Sequence, residues 1–381
     1  MLTCGMCSKP RVLMIGPTPP AVGGMVSVMQ TLVTSPLRHT VHLSVLSANP
    51  SWFRKWGPVG SLLRHSSLLF TLLWRVLRTR ADIVHIHASS FFTFYRHLLD
   101  LAFLRLLRRR VLLHLHGGYF DDFYRRATGP GRLLIRAGLR KAHAVVVLSE
   151  PWRHWIGTVV PTANVHVIPN AVHMPELDPP RTYAPRPTCR FLYLGTLSEH
   201  KGLFDLLTAT AKLRDDELPF EVILAGPWGS PGDGSRFTDA LCRHGLNDVV
   251  RHAGIADGDE RVRLLRQADV FILPSHREAM PVAILEAMSF ALPVIATDVG
   301  AVVEAVPHMQ AGLILSPHSP DRLAAAMRTL ITDPDLRNTL GSQARRRAAR
   351  HYNDNLQADA VLALYQSLLP PARAPALALD R

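Results

Sequence analysis

Cysteine, acidic residues in the first half and long apolar runs are all scarce in this sequence. The four cysteines, Cys4, Cys7, Cys189 and Cys242, are too few and too scattered for a disulfide framework. Cys4 and Cys7 have half of the spacing of a zinc site, but no second pair or nearby histidine cluster completes it. We interpret them as unpaired thiols of a flexible N-terminal segment in a reducing cytosol.

The apolar runs are too short to cross a membrane, since a spanning helix needs roughly 18 consecutive apolar residues. No secretory signal precedes the first predicted strand, residues 11–15. We therefore expect a cytoplasmic protein that is soluble or peripheral. Its 381 residues, 48% hydrophobic and 19% charged, are enough for two well-cored globular domains.

The shortage of acidic residues makes one half of the chain strongly basic. Residues 1–175 contain 21 Lys and Arg but only 5 Asp and Glu, a net charge of +16, whereas residues 176–381 have a net charge of −3. Such asymmetry predicts an anionic surface as partner, either a nucleic acid or a membrane. The sequence contains no recognised nucleic-acid motif and no aromatic stacking platform within its basic stretches, which argues against nucleic acid.

Two basic amphipathic segments, residues 61–80 and 96–110, favour a membrane surface. The alternative is that both are ordinary helices packed on a sheet, with their arginines in water. We expect both roles: an apolar face that is mostly core, and an arginine face available to anionic headgroups. This predicts a peripheral protein on the inner face of the cytoplasmic membrane.

Both halves alternate short apolar runs with longer periodic segments, which is typical of βαβ units and of doubly wound α/β domains. A proline-rich linker at residues 176–188 separates a first domain, residues 1–175, from a second, residues 189–352. Residues 370–381 are rich in alanine and proline and are expected to form a flexible tail. The strands are predicted at residues 11–15, 41–46, 83–86, 111–115, 144–148, 165–168, 190–194, 220–225, 249–253, 270–273, 293–297 and 312–315.

Glu278 and Glu286 lie eight residues apart across the predicted start of a helix, at which Pro281 suits the first position. An isolated pair at this spacing is usually a helix-entry charge and a solvated side chain. Here the preceding residues 268–275 form an apolar strand, and ligands bind at the carboxyl ends of strands in open α/β sheets. Because a helix start also attracts phosphate, the pair suits a sugar nucleotide, with Glu278 facing the sugar and Glu286 accepting from ribose hydroxyls.

The wider context of this pair resembles the retaining glycosyltransferases of family 4, the group 1 glycosyl transferases, over nearly the whole chain. Four segments carry the resemblance in the family's order. They are residues 16–20 followed by Gly23 and Gly24, residues 114–118 with His116, residues 194–202 with Lys201, and the Glu278–Glu286 motif continued through residues 292–297 and Gly300 to Glu304. The resemblance implies the GT-B fold, in which two Rossmann-like domains face each other across a cleft, with the helix at about residues 353–368 crossing back to the first domain.

The family also implies roles for individual residues. Lys201 would bind the donor diphosphate, and Gly23 and Gly24 would let the first loop approach the sugar phosphate, although a Gly-Gly pair is often only a turn. Backbone donors would come from the helix start, which comprises Ala279, Met280, Pro281 and Val282.

Two of these residues would contact the transferred sugar. Glu278 would bind its hydroxyl groups, and His116 would contact the sugar or its reacting region, unless it only caps the end of a strand. We assign no covalent nucleophile.

Two residues depart from the family pattern. Thr196 stands where the family often has an arginine that helps the lysine bind diphosphate, so we expect weaker donor binding or a substitute arginine elsewhere. Ala279 stands where the family usually has glycine, which is tolerable unless the backbone needs a positive φ or a very close approach of the sugar.

We predict no metal and no cofactor other than the nucleotide-sugar donor substrate. Asp257 and Asp259 have the spacing of a metal-binding D-x-D motif, but they stand before a helical pattern, where capping is the expected role. Asp333 and Asp335 are interpreted in the same way.

The predicted function is retaining transfer of a sugar from a nucleotide-diphosphate donor to an acceptor bound by the basic domain. The acceptor is expected to be a lipid-linked saccharide in the synthesis of exopolysaccharide, O-antigen or another envelope glycan. Two alternatives stay open. One is a non-hydrolysing sugar-nucleotide epimerase of the same fold, for which we identify no acid/base set, and the other is a non-enzymatic two-domain sugar-binding protein.

Overall fold

The computed structural model describes residues 9–48, 58–177, 188–214 and 216–370. These residues do not include the predicted N-terminal thiols Cys4 and Cys7. They also leave out most of the predicted linker and all but the first residue of the predicted tail.

The described residues contain two six-stranded sheets, and every strand pairs in parallel with its neighbours. The first sheet has the order β2-β1-β3-β4-β5-β6 and the second the order β12-β11-β10-β7-β8-β9. The strands are β1 (Arg11–Gly16), β2 (His42–Ser47), β3 (Ile83–Ala88), β4 (Arg110–Leu115), β5 (Ala144–Val147), β6 (Val165–Val167), β7 (Cys189–Leu194), β8 (Phe220–Ala225), β9 (Val250–His252), β10 (Val270–Leu273), β11 (Val294–Thr297) and β12 (Gly312–Leu315).

The predicted strand positions are confirmed to within one or two residues at each end. The central strands are buried on both faces, as a parallel sheet covered by helices on both sides requires, and they are largely apolar apart from the buried His85, His87 and His114. The two predicted doubly wound α/β units are therefore present, and the carboxyl ends of their strands hold the loops discussed below.

Helices connect the strands and cover both faces of each sheet. The 22-residue helix α3 is the longest, but among the described residues no helix is both long enough and apolar enough to span a membrane. The helices are α1 (Gly24–Thr34), α2 (Leu37–Thr40), α3 (Pro58–Thr79), α4 (Phe92–Leu106), α5 (Phe120–Arg126), α6 (Gly129–Lys141), α7 (Glu150–Val159), α8 (Leu203–Arg214), α9 (Asp233–His244), α10 (Gly258–Gln267), α11 (Val282–Ser289), α12 (Val302–Ala305), α13 (Pro320–Thr332), α14 (Pro334–His351) and α15 (Asp354–Leu368).

The last helix, α15, packs against α1 and α2 of the first sheet. Its start is fixed by backbone hydrogen bonds to Val172, which lies just after the first sheet, and by Gln357 Nε2, which donates to the carbonyl of Pro169 at 2.9 Å. Further along the helix, the Tyr365 hydroxyl lies 2.7 Å from Nδ1 of His85 in β3. Apolar side chains of α15 and of both sheets consequently belong to one continuous core.

A single glycine allows two loops of the second sheet to lie side by side. Gly202 follows a short 3-10 turn, Glu199–Lys201, and has φ +73°. A Cβ at this position would overlap the carbonyl of Pro274, which follows β10. The close approach places Lys201 beside the loop that carries Glu278.

We predict that Gly202→Ala destabilises the protein by about 3 kcal/mol, because it adds a steric overlap to the cost of a side chain at positive φ. Gly254→Ala is the matched control, since Gly254 has φ +79° but open space around its Cβ position. The control should cost only about 1 kcal/mol. Chemical denaturation of the two variants measures both values, and equal losses would contradict the proposed overlap.

Candidate functional site

A cavity of about 490 Å³ opens between the carboxyl ends of the two sheets. It brings together most of the residues singled out from the sequence, namely Gly23, Gly24, His116, Lys201, Glu278, Ala279, Met280, Pro281 and Val282. Glu286 does not line the cavity; it lies one layer behind, in contact with a residue that does.

The backbone at Glu278 is held between two glycines, one from each half of the protein. A Cβ on Gly118, which follows β4, would lie 2.6 Å from the carbonyl carbon of Glu278. Gly300, which follows β11 and has φ +56°, would overlap the Glu278 carbonyl oxygen in the same way. The peptide between Glu278 and Ala279 therefore fits only because both neighbours lack a side chain.

The Glu278 carboxylate has two partners in the structure. Lys201 Nζ donates to it at 2.6 Å, and the buried hydroxyl of Ser275 donates at 2.8 Å. The Glu278 side chain is only 8% exposed, whereas that of Lys201 is 31% exposed. The ammonium group therefore faces the cavity while it neutralises a nearly buried carboxylate.

Glu286 forms a second ion pair behind the cavity wall. Arg261 of α10 donates to its carboxylate through Nε at 3.0 Å and also through Nη2. Burial raises the pKa of Glu286, and the neighbouring guanidinium of Arg261 opposes that rise. Arg261 itself lines the cavity, as Arg277 does, so the site contains two cations besides Lys201.

The helix after Glu278 starts one residue later than predicted. Pro281 is not the first helical residue but precedes it, with φ −71° and ψ 117°, and α11 begins at Val282. Ala279 and Met280 lie in the preceding loop, where the Met280 carbonyl accepts a hydrogen bond from buried Asn170 at 2.8 Å. Ala279 has no positive φ, so its methyl group causes no backbone strain.

The starts of two helices face the cavity from opposite sides. Gly23, with φ +144°, immediately precedes α1, and a Cβ on Gly24 would lie 3.9 Å from the Val282 side chain at the start of α11. The first N–H groups of a helix have no partner within the helix. Both halves therefore present backbone donors and positive dipole ends to the same space, an arrangement suited to an anionic ligand.

His116 ends a row of four stacked histidines that starts in the core. Its Nε2 lies 2.8 Å from Nδ1 of His87, and His85 and His114 stack behind that pair. Burial lowers the pKa of His116 to about 3, so the ring is neutral at physiological pH. It offers a hydrogen bond to a ligand but no positive charge.

The aspartates with D-x-D spacing lie at helix starts, as predicted. Asp333 is the N-cap of α14 and accepts from the backbone N–H of Leu336 at 2.8 Å, whereas Asp257 is the N-cap of α10 without a side-chain cap. Two other groups in the described part of the chain bring possible metal ligands within 4.8 Å of one another. They are the buried His85, His87 and His114, and the more exposed Asp205, His276 and His318.

Arg277 joins the two halves at the edge of the cavity. Its Nε donates to the carbonyl of Gly118 at 2.7 Å, and its Nη2 pairs with Asp121 of α5. Its guanidinium also lies over the Tyr119 ring, 4.8 Å from the centroid. These contacts keep the loop of Glu278 against the first half of the protein.

Sequence reasoning missed Arg261, Arg277 and Asn170. Asn170 stands two residues after the predicted strand at residues 165–168, and its position at the carboxyl end of a strand is a signal in the sequence. Arg261 had none, because it stands in a polar helix beside Arg263, and the sequence does not show which of the two faces inward.

Two family models match this chain, one on each half. The model described as Glycosyltransferase Family 4 matches residues 22–174. The model described as Glycosyl transferases group 1 matches residues 184–347. Together they span nearly all of both sheets, and they confirm the resemblance inferred from the four motifs.

Curated relatives are 30–33% identical to this chain over the segments that match. A D-inositol 3-phosphate glycosyltransferase of Jonesia denitrificans is 30% identical over 245 residues, which are 60% of this chain and 58% of the relative. A glycogen synthase of Mycobacterium tuberculosis is 33% identical over 159 residues, 42% of this chain and 36% of the relative. The chain thus matches less than two thirds of the length of these relatives.

Solved structures share the whole architecture. The sucrose-phosphate synthase of Thermosynechococcus elongatus superposes with a TM-score of 0.76 at 20% identity, covering 94% of this chain and 99% of the other. Anabaena HepE in complex with UDP-glucose gives a TM-score of 0.70 at 18% identity, covering 94% and 100%. The chain therefore belongs to the group 1 glycosyl transferases of family 4, whose two-domain GT-B fold it shares.

Proposed function

We propose that this protein is a retaining glycosyltransferase that moves a sugar from a nucleotide-diphosphate donor to an acceptor. The observation that carries the proposal is the pair of ion pairs at the cavity, Lys201 with Glu278 and Arg261 with Glu286. Each pair combines one cation with one carboxylate, which matches a sugar nucleotide, a ligand with both a diphosphate and hydroxyl groups.

Donor binding would exchange the partners of both ion pairs. The diphosphate would draw Lys201 and Arg261 away from the carboxylates and toward its own oxygens, beside the two helix starts. Glu278 and Glu286 would then accept hydrogen bonds from the hydroxyl groups of the sugar and of the ribose. Arg261 would in this way replace the arginine that the family often has at the position of Thr196.

The charges placed at the diphosphate also supply the main catalytic effect. Transfer requires the bond between the anomeric carbon and the diphosphate to break, and the negative charge that develops on the leaving group is stabilised by fixed cations and N–H donors. His116, kept neutral by burial and oriented by its contact with His87, would donate or accept a hydrogen bond at the transferred sugar.

UDP-glucose is the first donor to test, because it is the ligand in the structure of Anabaena HepE. We predict that one nucleoside diphosphate sugar among the UDP, GDP, ADP and dTDP series raises the melting temperature of the wild-type protein. Glu286→Gln should largely remove that shift, since an amide replaces an acceptor of ribose hydroxyls and no longer pairs with Arg261.

Glu260→Gln is the control for that variant, because Glu260 lies beside Arg261 on α10 but forms an exposed ion pair with Arg263. It should keep the full shift. If no donor raises the melting temperature even of the wild-type protein, the proposed transferase activity loses its support.

We predict that Lys201→Met and Arg261→Met each lower kcat/KM for sugar transfer by about 100-fold, because each removes a charge from the leaving diphosphate. Lys212→Met and Arg263→Met remove exposed cations from α8 and α10 and should retain activity. Steady-state kinetics with the donor found above gives the comparison. Wild-type kinetics in Arg261→Met would exclude Arg261 as the substitute for the missing family arginine.

We also propose that the acceptor is lipid-linked and that the basic half binds an anionic membrane surface. On α3, Leu72 and Val76 are buried in the core, but Phe70, Trp74 and Leu77 are 71%, 47% and 57% exposed. Within residues 69–79, the part of α3 whose side chains the structure describes, the apolar face expected to be mostly core is therefore only partly buried. A stripe of large exposed apolar residues at helical spacing suits insertion between headgroups.

Arginines flank this stripe. The guanidinium groups of Arg75 and Arg78 lie over the Trp74 ring, 5.5 and 5.1 Å from its centroid. Among residues 108–110, by contrast, Arg109 donates to the carbonyl of Ala81 and has a structural role. The arginines of α3 are thus better placed for contact with anionic headgroups.

We predict that Phe70→Ser/Trp74→Ser/Leu77→Ser lowers co-sedimentation with vesicles of mixed phosphatidylglycerol and phosphatidylethanolamine by about tenfold. Leu133→Ser/Leu134→Ser is the control, because these residues are 66% and 54% exposed on α6. Arg75→Ser/Arg78→Ser should weaken binding only when anionic lipid is present. Equal sedimentation of the triple variant and the control would contradict the assignment of α3 as the contact.

A further inference from the structure

A second cavity, of about 470 Å³, lies next to the donor cavity and shares Gly118, Arg277 and Glu278 with it. We propose that this second cavity is the acceptor subsite and that it takes a neutral saccharide ring. This inference rests on the proposed function, because it assigns the substrate that meets the donor at Glu278.

Aromatic side chains form one wall of the second cavity. Trp152 and Trp155, one turn apart on α7, line it from the first half, and their rings meet edge to face at an interplanar angle of 81°. Both side chains are half-buried, so part of each ring remains accessible. Flat aromatic surface beside a few polar groups is suited to a ligand with one apolar face and several hydroxyl groups, which describes a pyranose ring.

One residue of the second cavity's lining has a buried hydroxyl group that lacks a hydrogen-bond partner in the described part of the chain. Ser149, which precedes α7 and lines the cavity, is 0% exposed, and within the described part of the chain its Oγ has no hydrogen-bond partner. Buried hydroxyl groups nearly always have one, so an orphan Oγ at a cavity wall indicates a ligand atom. A saccharide hydroxyl would supply it.

The charges that line the second cavity do not favour an anionic ligand. The two basic side chains that line this cavity, Arg277 and His276, are each paired with an aspartate, Asp121 and Asp205 respectively. The lining also contains two carboxylates, Asp121 and Glu278, against the single arginine, so its net charge does not attract a phosphate group, whereas three cations outnumber one carboxylate in the lining of the donor cavity. The occupant is therefore a neutral sugar, in contrast to the phosphorylated polyol in the name of the inositol phosphate relatives.

Glu278 lines both cavities and so lies between the two proposed ligands. An acceptor in the second cavity would direct a hydroxyl group toward a donor sugar bound at Glu278. In the transfer, the acceptor oxygen forms a bond to the anomeric carbon, and the bond from that carbon to the diphosphate oxygen breaks. The bonding electron pair leaves with the diphosphate, which also takes the acceptor proton.

The test is saturation-transfer difference NMR on the full chain in the presence of UDP. The probes are methyl α-glucoside, methyl α-galactoside, methyl α-mannoside and myo-inositol 1-phosphate. We expect at least one glycoside to bind the wild type and the inositol phosphate to bind more weakly. Trp152→Ala should abolish the glycoside signal, and Ser149→Ala should raise the glycoside dissociation constant about fivefold to tenfold.

Two features of the variants separate ligand binding from folding. Ser149→Ala removes a buried hydroxyl without a partner, so its melting temperature should not fall. Trp152→Phe keeps an aromatic ring and should retain part of the signal if Trp152→Ala folds poorly. Trp74→Ala, which changes an exposed tryptophan on α3, is the control and should bind glycosides as the wild type does.

The inference is overturned if no glycoside binds the wild type, if Ser149→Ala and Trp152→Phe both bind glycosides unchanged, or if the inositol phosphate binds best. Donor binding is measured on the same samples by thermal shift with the nucleotide sugars. If the nucleotide sugars still raise the melting temperature of the Ser149 and Trp152 variants, and these variants bind glycosides as the wild type does, only the acceptor subsite is excluded. Absence of any donor shift would instead count against the transferase itself, whatever the glycosides do.

Discussion

The site depends on one steric constraint, the confinement of the Glu278–Ala279 peptide between Gly118 and Gly300. One glycine comes from each half of the protein, so the backbone of the key carboxylate is fixed only when the two halves meet. Arg277 holds that contact through the Gly118 carbonyl and Asp121. Positioning of the carboxylate and docking of the halves are therefore the same physical event.

Electrostatics then determines what the confined loop can bind. In the structure each carboxylate at the cavity is neutralised by a cation, which offsets the cost of burying charge in a closed space. A ligand that carries both negative charge and hydroxyl groups can replace these partners without leaving any charge unpaired. A purely anionic ligand would leave the carboxylates of Glu278 and Glu286 without partners. A purely neutral ligand would not displace their cations, Lys201 and Arg261.

Sequence reasoning predicted the fold well because parallel strands buried on both faces must be apolar and must alternate with helices. The site was predicted where a residue directly follows a strand, as His116 does after β4. It was not predicted where the decisive fact is a contact between separate elements, within the second half for Arg261 and across the cleft for Arg277. Neither Arg261 nor Arg277 differs in its local pattern from a solvated arginine, and only the packing of α10 and of the two halves gives each its partner. The helix start was misplaced by one residue, because proline suits the N-cap as well as the first helical position.

The hydrogen bond between His85 and Tyr365 joins residues 280 positions apart. The face of the first half that carries α1, α2 and His85 is covered only when α15 packs on it, and α15 is the last described helix to be synthesised. During synthesis that face, including His85, is therefore uncovered while the entire second sheet is made. The order of translation and the order of assembly differ, and the nascent first half has to remain soluble until the end of the chain returns to it.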